Sequence, residues 1–427
     1  MFAHGIILSY YDLGMLRPRV SLSKISPDWM RVIIYTTPIF FYSFSDSILS
    51  YYAPIAIQAA FGSAMIMGLV MSFSSVVGLV TDFIFPQILK EISAKRLLLW
   101  SGFLSLAFAV LLLGAGDKPL YPVFLLAMAI WGVYYEFLGF SKQKFMGTKV
   151  PRSLHSGANA FMFTMRGVSY TFGPLLAAFM FGISSQLLIG VSIAIAVVGV
   201  FLSIFTNHSR GVPVEVEVQH VHLGAELSHW KVLMVSVWPM VLLFIGLGLV
   251  DAAFWTTGTV LSQKFAETTV LGDFLIPIYV LPALIIGLVV AKWNPVEGKK
   301  KLATLFFLLS GIFLGLVGVI ESIPLILVMV FISSVLSSIS YPLVDAVFSD
   351  LTERMGKERF HLIGLTNSAT SIAYIIGPLM AGFMASRMGE EKTFGALGVI
   401  TVVLSIIIYF ATPRKIKLSQ ENIKKWD

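Results

Sequence analysis

The chain has 427 residues, 57% of them hydrophobic and 12% charged, with a mean hydropathy of +0.87. Soluble domains carry about 25% charged residues, so this chain cannot cover itself with polar groups in water. It reads as an all-α membrane protein with lipid as the solvent for its outer face. The lack of cysteine excludes disulfides and thiolate metal sites, and the net charge of +7 is spread as a topology signal, not as a nucleic-acid-binding patch.

The first 31 residues form a basic leader with Arg17, Arg19, Lys24 and Arg31. Ile6-Ile7-Leu8 is too short for the apolar region of a signal peptide. The segment is expected to be a cytoplasmic tail, with Met1, Met15 and Met30 all available as starts. A membrane-spanning helix needs about 20 mostly apolar residues. Such runs fall at 32–57, 62–89, 97–116, 120–141, 156–181, 186–206, 232–261, 274–291, 302–320, 324–348, 362–386 and 393–412. Twelve spans put both termini on one side. That side then holds 25 Lys and Arg residues against 4 on the other, and basic residues concentrate on the cytoplasmic face. The expectation is a multi-pass protein of the plasma (inner) membrane with cytoplasmic ends.

The longest polar stretch divides a six-helix half, 32–206, from a second, 232–412. This linker, 207–231, and a tail, 413–427, complete the organisation. Inside the linker Val214-Glu215-Val216-Glu217-Val218 alternates as a short strand would. His208, His220, His222 and His229 could suggest a metal, but no carboxylate or cysteine spacing accompanies them. No metal or other cofactor is expected.

The halves carry an internal repeat. Gly173-Pro174-Leu175-Leu176-Ala177-Ala178-Phe179-Met180 matches Gly377-Pro378-Leu379-Met380-Ala381-Gly382-Phe383-Met384 at six of eight positions, at an offset of 204. Tyr170 and Tyr374 share that offset, and Asp46 and Asp251 are separated by 205. Matched spans run in the same direction, which makes this a parallel repeat of the kind transporters use.

With these features the chain resembles the major facilitator superfamily, from about residue 30 to the end. Gly78-Leu79-Val80-Thr81-Asp82 matches that family's Gly-x-x-x-Asp at the end of the second span, and Lys95-Arg96 opens the third. Phe83 follows the Asp where the family has a basic residue, and the second-half counterpart, Gly287 to Lys292, has lost the Asp. Gly173-Pro174 resembles the family's antiporter motif, with Ala177-Ala178 in place of a glycine pair. Physically, proline removes a backbone donor and small neighbours admit another helix, which suits a contact between rocking halves. The resemblance implies a monomer.

Ionisable groups inside spans carry the functional signal. A charge at the bilayer centre costs about 2.5–3.5 kcal/mol and usually faces a solute or proton path. Asp46, Glu136, Asp251 and Asp345 fall on spans 1, 4, 7 and 10, the cavity-lining helices that the resemblance implies. Arg166, in span 5, needs a carboxylate or an anionic ligand, and Glu136 is its nearest candidate in topology. Tyr52, Trp131, Tyr135, Trp255 and Tyr341 are expected to line the cavity. Burial disfavours the charged form of a carboxyl group, so Asp46 and Asp251 are expected to take and release protons as wet and dry surroundings alternate. The expected partners are a small-molecule substrate, protons and membrane lipid. The expected activity is secondary transport by alternating access, as proton-coupled efflux or as proton-linked uptake of a sugar, organic acid or peptide. A non-transporting receptor and a membrane enzyme are weaker readings: no His-Glu-x-x-His or Gly-x-Ser-x-Gly occurs.

Overall fold

A computed structural model describes residues 26–88, 92–116, 118–151, 154–206, 223–293, 297–355 and 358–418. Met1, Met15, the 214–218 alternation, His208, His220 and His222 lie outside these residues, as does the side chain of Asp82.

Helix α1 spans Pro27–Phe61. Ser26 caps it, accepting from the Trp29 amide at 3.3 Å, Pro27 occupies the first turn, and Gly62 ends it in the left-handed region at φ 62°. There follow α2 (Ala64–Ile88), α3 (Ala94–Ala115), α4 (Tyr121–Lys149), α5 (His155–Phe181) and α6 (Ser185–Ile204). The seventh rod, α7, runs through Leu223–Ala253, a π-turn at Phe254–Gly258, and Thr259–Ala266. The second half continues with α8 (Leu275–Trp293), α9 (Lys299–Val317), α10 (Ile323–Met355), α11 (Arg359–Met388) and α12 (Glu390–Ala411). Ten stretches of the described residues are long and apolar enough to cross a membrane by length and composition; α5 and α8 complete the twelve. Helix α7 begins within the segment expected to be linker: residues 223–231 are already helical. Likewise α4 and α10 outrun their expected spans, because helical backbone continues past the last apolar residue.

The packing repeats. In the first half α1 lies on α5 and α6, α3 on α4 and α6, and α2 on α4. In the second, α7 lies on α11 and α12, α9 on α10 and α12, and α8 on α10. Each contact in one half has its counterpart six helices later. Between halves α2 packs on α11 and α5 on α8, a pair that the same symmetry exchanges. Small residues bring these helices together: Gly68 of α2 faces the Pro378 carbonyl of α11, and Gly382 faces the Ala64 carbonyl. Tyr42 reaches Ser203 at 2.7 Å and Ser45 reaches Ser192 at 2.7 Å. Such interhelical hydrogen bonds contribute about 0.6 kcal/mol each in a membrane.

The surface is inverted relative to a soluble protein, with large apolar side chains such as Phe410 and Val235 fully outward. At the end of the bundle remote from both termini the halves are closed on each other. Tyr51 reaches Ser262 at 3.4 Å, Gln58 donates to Glu390 at 3.2 Å, and Lys264 lies 3.5 Å from Glu390.

Candidate functional site

Asp46 sits on α1, 1% exposed. Two residues of α4, one helical turn apart and therefore on one face, supply donors. Trp131 Nε1 donates to Oδ1 at 2.7 Å and the Tyr135 hydroxyl to Oδ2 at 2.8 Å. The Tyr170 hydroxyl of α5 donates to the same Oδ2 and lies 3.0 Å from that of Tyr135. The Trp131 ring is held by stacking on Phe108, with centroids 5.2 Å apart. A carboxylate taken out of water needs this many donors to remain tolerable.

The second half builds the corresponding arrangement. Asp251 sits on α7; the Tyr279 hydroxyl of α8 donates to its Oδ1 at 2.8 Å, and that of Tyr374, on α11, donates to Oδ2. Tyr279 is fixed by stacking on Phe254 at 3.8 Å. Thus Tyr170 serves Asp46 as Tyr374 serves Asp251. Neither tyrosine follows from its own surroundings in the sequence; the one signal for them is the offset they share with the Gly-Pro segments.

The Gly-Pro segments explain how the tyrosines reach. A Cβ on Gly173 would collide with the Ser47 hydroxyl of α1, and one on Gly377 would lie 2.7 Å from Cβ of Ala252 on α7. Each glycine therefore seats α5 or α11 against the residue following its own half's aspartate. The tyrosine, three residues earlier on the same face, then falls within reach of that carboxylate. This corrects the expectation of a contact between halves for the glycines. In that segment Pro378, through its carbonyl against Gly68, and Gly382, against the Ala64 carbonyl, make the contact between halves.

Between the halves lies a chamber of about 540 Å³, within the range of small-molecule sites. Trp131, Tyr135, Glu136, Arg166, Asp251, Trp255 and Tyr341 line it, together with Gly78, Tyr170, Tyr279 and Tyr374. Asp46 is set behind Trp131, Tyr135 and Tyr170, which separate it from the chamber. Two expected residues lie elsewhere. Tyr52 is 2% exposed and packs on Phe181, with centroids 6.1 Å apart. Asp345 opens on a second recess of about 620 Å³ with Phe244, Glu353 and Asn367, which meets the chamber at Thr370.

Arg166 is exposed to the chamber. Its guanidinium lies 5.1 Å from the centroid of the Tyr170 ring, a cation–π contact. Among the described residues no carboxylate is in ion-pair distance of it; the expected pairing with Glu136 gives way to the ring. Glu136 lies beside Gly78 and in the field of Lys142. The Tyr170 ring also meets Trp255 edge to face at 5.3 Å across the halves. Tyr170 therefore touches Asp46, Arg166 and the opposite half at once.

The comparisons agree with this fold. Solved structures with the same fold include the human organic anion transporter MFSD10 (TETRAN), with a TM-score of 0.64 at 13% identity, covering 90% of this chain and 100% of that one. A D-xylose–proton symporter gives a TM-score of 0.68 at 12% identity, covering 91% and 99%. Multidrug resistance protein 1 of Bacillus subtilis (strain 168) is 28% identical over 173 residues, 38% of this chain and 41% of that protein's length. The sequence profile of the Major Facilitator Superfamily matches residues 39–293 and 243–426. With its two six-helix halves and the chamber between them, the chain belongs to the major facilitator superfamily of secondary transporters.

Proposed function

We propose that the chain carries a small amphipathic organic solute across the membrane by alternating access, coupled to protons held at Asp46 and Asp251. The observation carrying this reading is the matched pair of aspartates, one per half. Each is gripped by a tyrosine from the equivalent helix at the boundary of one chamber. Each proton moved inward gains about 2.3 kcal/mol per 100 mV of membrane potential, enough to drive a modest solute gradient. The aromatic wall suits flat apolar bodies.

One direction is efflux by exchange with protons. The relative named multidrug resistance protein 1 and the aromatic wall support it. Cotransport is the second reading, favoured by Arg166 standing open to the chamber. We read the halves 32–206 and 232–412 as bodies that rock about the chamber, in a monomer that is not an enzyme. The 25-to-4 distribution of Lys and Arg supports cytoplasmic termini, and we place the chain in the plasma membrane.

The test is proton-coupled solute movement in proteoliposomes. Asp46→Asn and Asp251→Asn are each expected to lower coupling by about tenfold or more, while solute still equilibrates down its gradient. Undiminished coupling in both variants would remove the proposal.

A further inference from the structure

The charges around the chamber are unequally satisfied. Asp251 has a tyrosine hydroxyl on each oxygen, and Asp46 has three donors. Glu136 is engaged and lies in the field of Lys142. Arg166 differs from all of these. It carries five N–H donors in a planar fork that fits a carboxylate or sulfonate; its fixed neighbour is Tyr170, which offers a ring face and a single hydroxyl oxygen, too few acceptors for the fork. Arg166 therefore has donors left for a negatively charged group at the edge of an aromatic wall, in a lining it shares with Glu136 and Asp251.

We propose that the chamber binds an amphipathic organic anion, its acid group on the Arg166 guanidinium and its apolar body among Tyr170, Trp255 and Tyr279, and that a proton travels with it. This rests on the carrier reading above and decides between its two directions in favour of cotransport. A low-dielectric chamber accepts an added negative charge best when a positive one enters too. Anion and proton therefore bind with positive cooperativity, and the effect is reciprocal. A cationic solute would instead compete with the proton, which is the condition for exchange.

The groups that tune Arg166 surround it on every side. They are Tyr135 and Lys142 of α4, Tyr170 of its own helix, Asp46 of α1, and Asp251 and Tyr374 across the chamber, and Glu136 of α4 lines the same chamber. The two aspartates are the acids that can gain the accompanying proton while their tyrosine hydroxyls turn to other acceptors.

The experiment uses the full chain in nanodiscs with 2-naphthalenesulfonate and 2-naphthyltrimethylammonium, two probes of one shape and opposite permanent charge. The sulfonate is expected to bind about tenfold or more tightly than the ammonium, and more tightly at acid than at alkaline pH. Arg166→Gln removes that preference and Arg166→Lys keeps part of it, since a lone buried-charge contact contributes about tenfold or more to binding. Preference of the unaltered chain for the ammonium, or sulfonate binding unchanged in Arg166→Gln, would overturn the proposal, and the first comparison needs no variant to fold. In proteoliposomes a sulfonate gradient is expected to pull protons in its own direction; proton flow against it overturns cotransport. Proton-driven movement of other solutes without any sulfonate binding would leave the carrier reading standing and sink this one. Arg166-dependent sulfonate binding with no flux of any kind would do the reverse.

Discussion

At the residue scale the design turns on how closely two helices approach. A methyl group on Gly173 has no room against Ser47, so Gly173→Ala must push α5 outward or rotate Ser47 away. Overpacking of this kind costs about 1–3 kcal/mol. The larger consequence is functional, because the displacement carries the Tyr170 hydroxyl away from Asp46. Gly173→Ala is expected to lose proton coupling at near-normal expression, and Gly173→Ala with Ser47→Gly to recover it. Coupling ratios measured on the single and double variants check this; a single variant with normal coupling would show that the approach distance does not set the tyrosine's position. The glycines were visible in the sequence as a repeated motif, but their neighbours were not. Ser47 and Ala252 lie over a hundred residues away, and nothing local distinguishes a glycine that meets its own half from one that meets the other. Tyr52 shows the converse: an aromatic beside the key acid on the same helix still points into the core, since helical rotation, not proximity in sequence, decides its face.

At the element scale, α7 differs from its counterpart α1 by the π-turn at Phe254–Gly258, directly after Asp251. Such insertions recur at functional sites because they rotate the side chains that follow. Here Phe254 lands on Tyr279, and Trp255 lines the chamber and meets Tyr170. The apolar pattern of span 7 predicted a helix and could not predict the extra residue in one turn, which the partners of Phe254 and Trp255 fix. Helices α9 and α12 depend instead on backbone contact. Gly398 lies against the backbone of Gly315, and Gly395 against that of Gly318. A side chain at Gly398 must separate the two helices, whereas Gly190 of α6 faces open space. Gly398→Leu is expected to lower thermal stability in detergent by several degrees or abolish folding, and Gly190→Leu to stay within about 0.5 kcal/mol of the unaltered chain. Equal melting temperatures for the two would refute the close-packed interface.

At the scale of the whole molecule, the halves meet firmly through α2–α11 and α5–α8 and lightly at the end remote from the termini. The ion pair there joins Lys264, 55% exposed, to Glu390, and exposed pairs contribute about 0–1 kcal/mol. A weak latch suits a carrier, which must open that end in every cycle. The chain has no cysteine, so introduced thiols report cleanly. Gln58→Cys with Glu390→Cys, bridged by a short bifunctional thiol reagent, is expected to abolish transport, and a cleavable bridge to restore it once cut. Turnover that persists in the bridged protein would mean the two residues need not part.

The sequence by itself determined that this is a lipid-embedded bundle of two like halves, with aspartates at matched depths. Charge scarcity, the length of apolar runs and the common offset are properties of one dimension, and the cost of burying polar groups leaves few other ways to satisfy them. Only the tertiary structure decided which side chains face one another. It set Tyr170 and Tyr374 on the aspartates, put Arg166 over a ring in place of a carboxylate, turned Tyr52 into the core, and placed Asp345 in a recess of its own. Those outcomes depend on helix rotation and on separations of a few ångströms between distant segments, and an apolar helix, whose faces all read alike, carries no record of either.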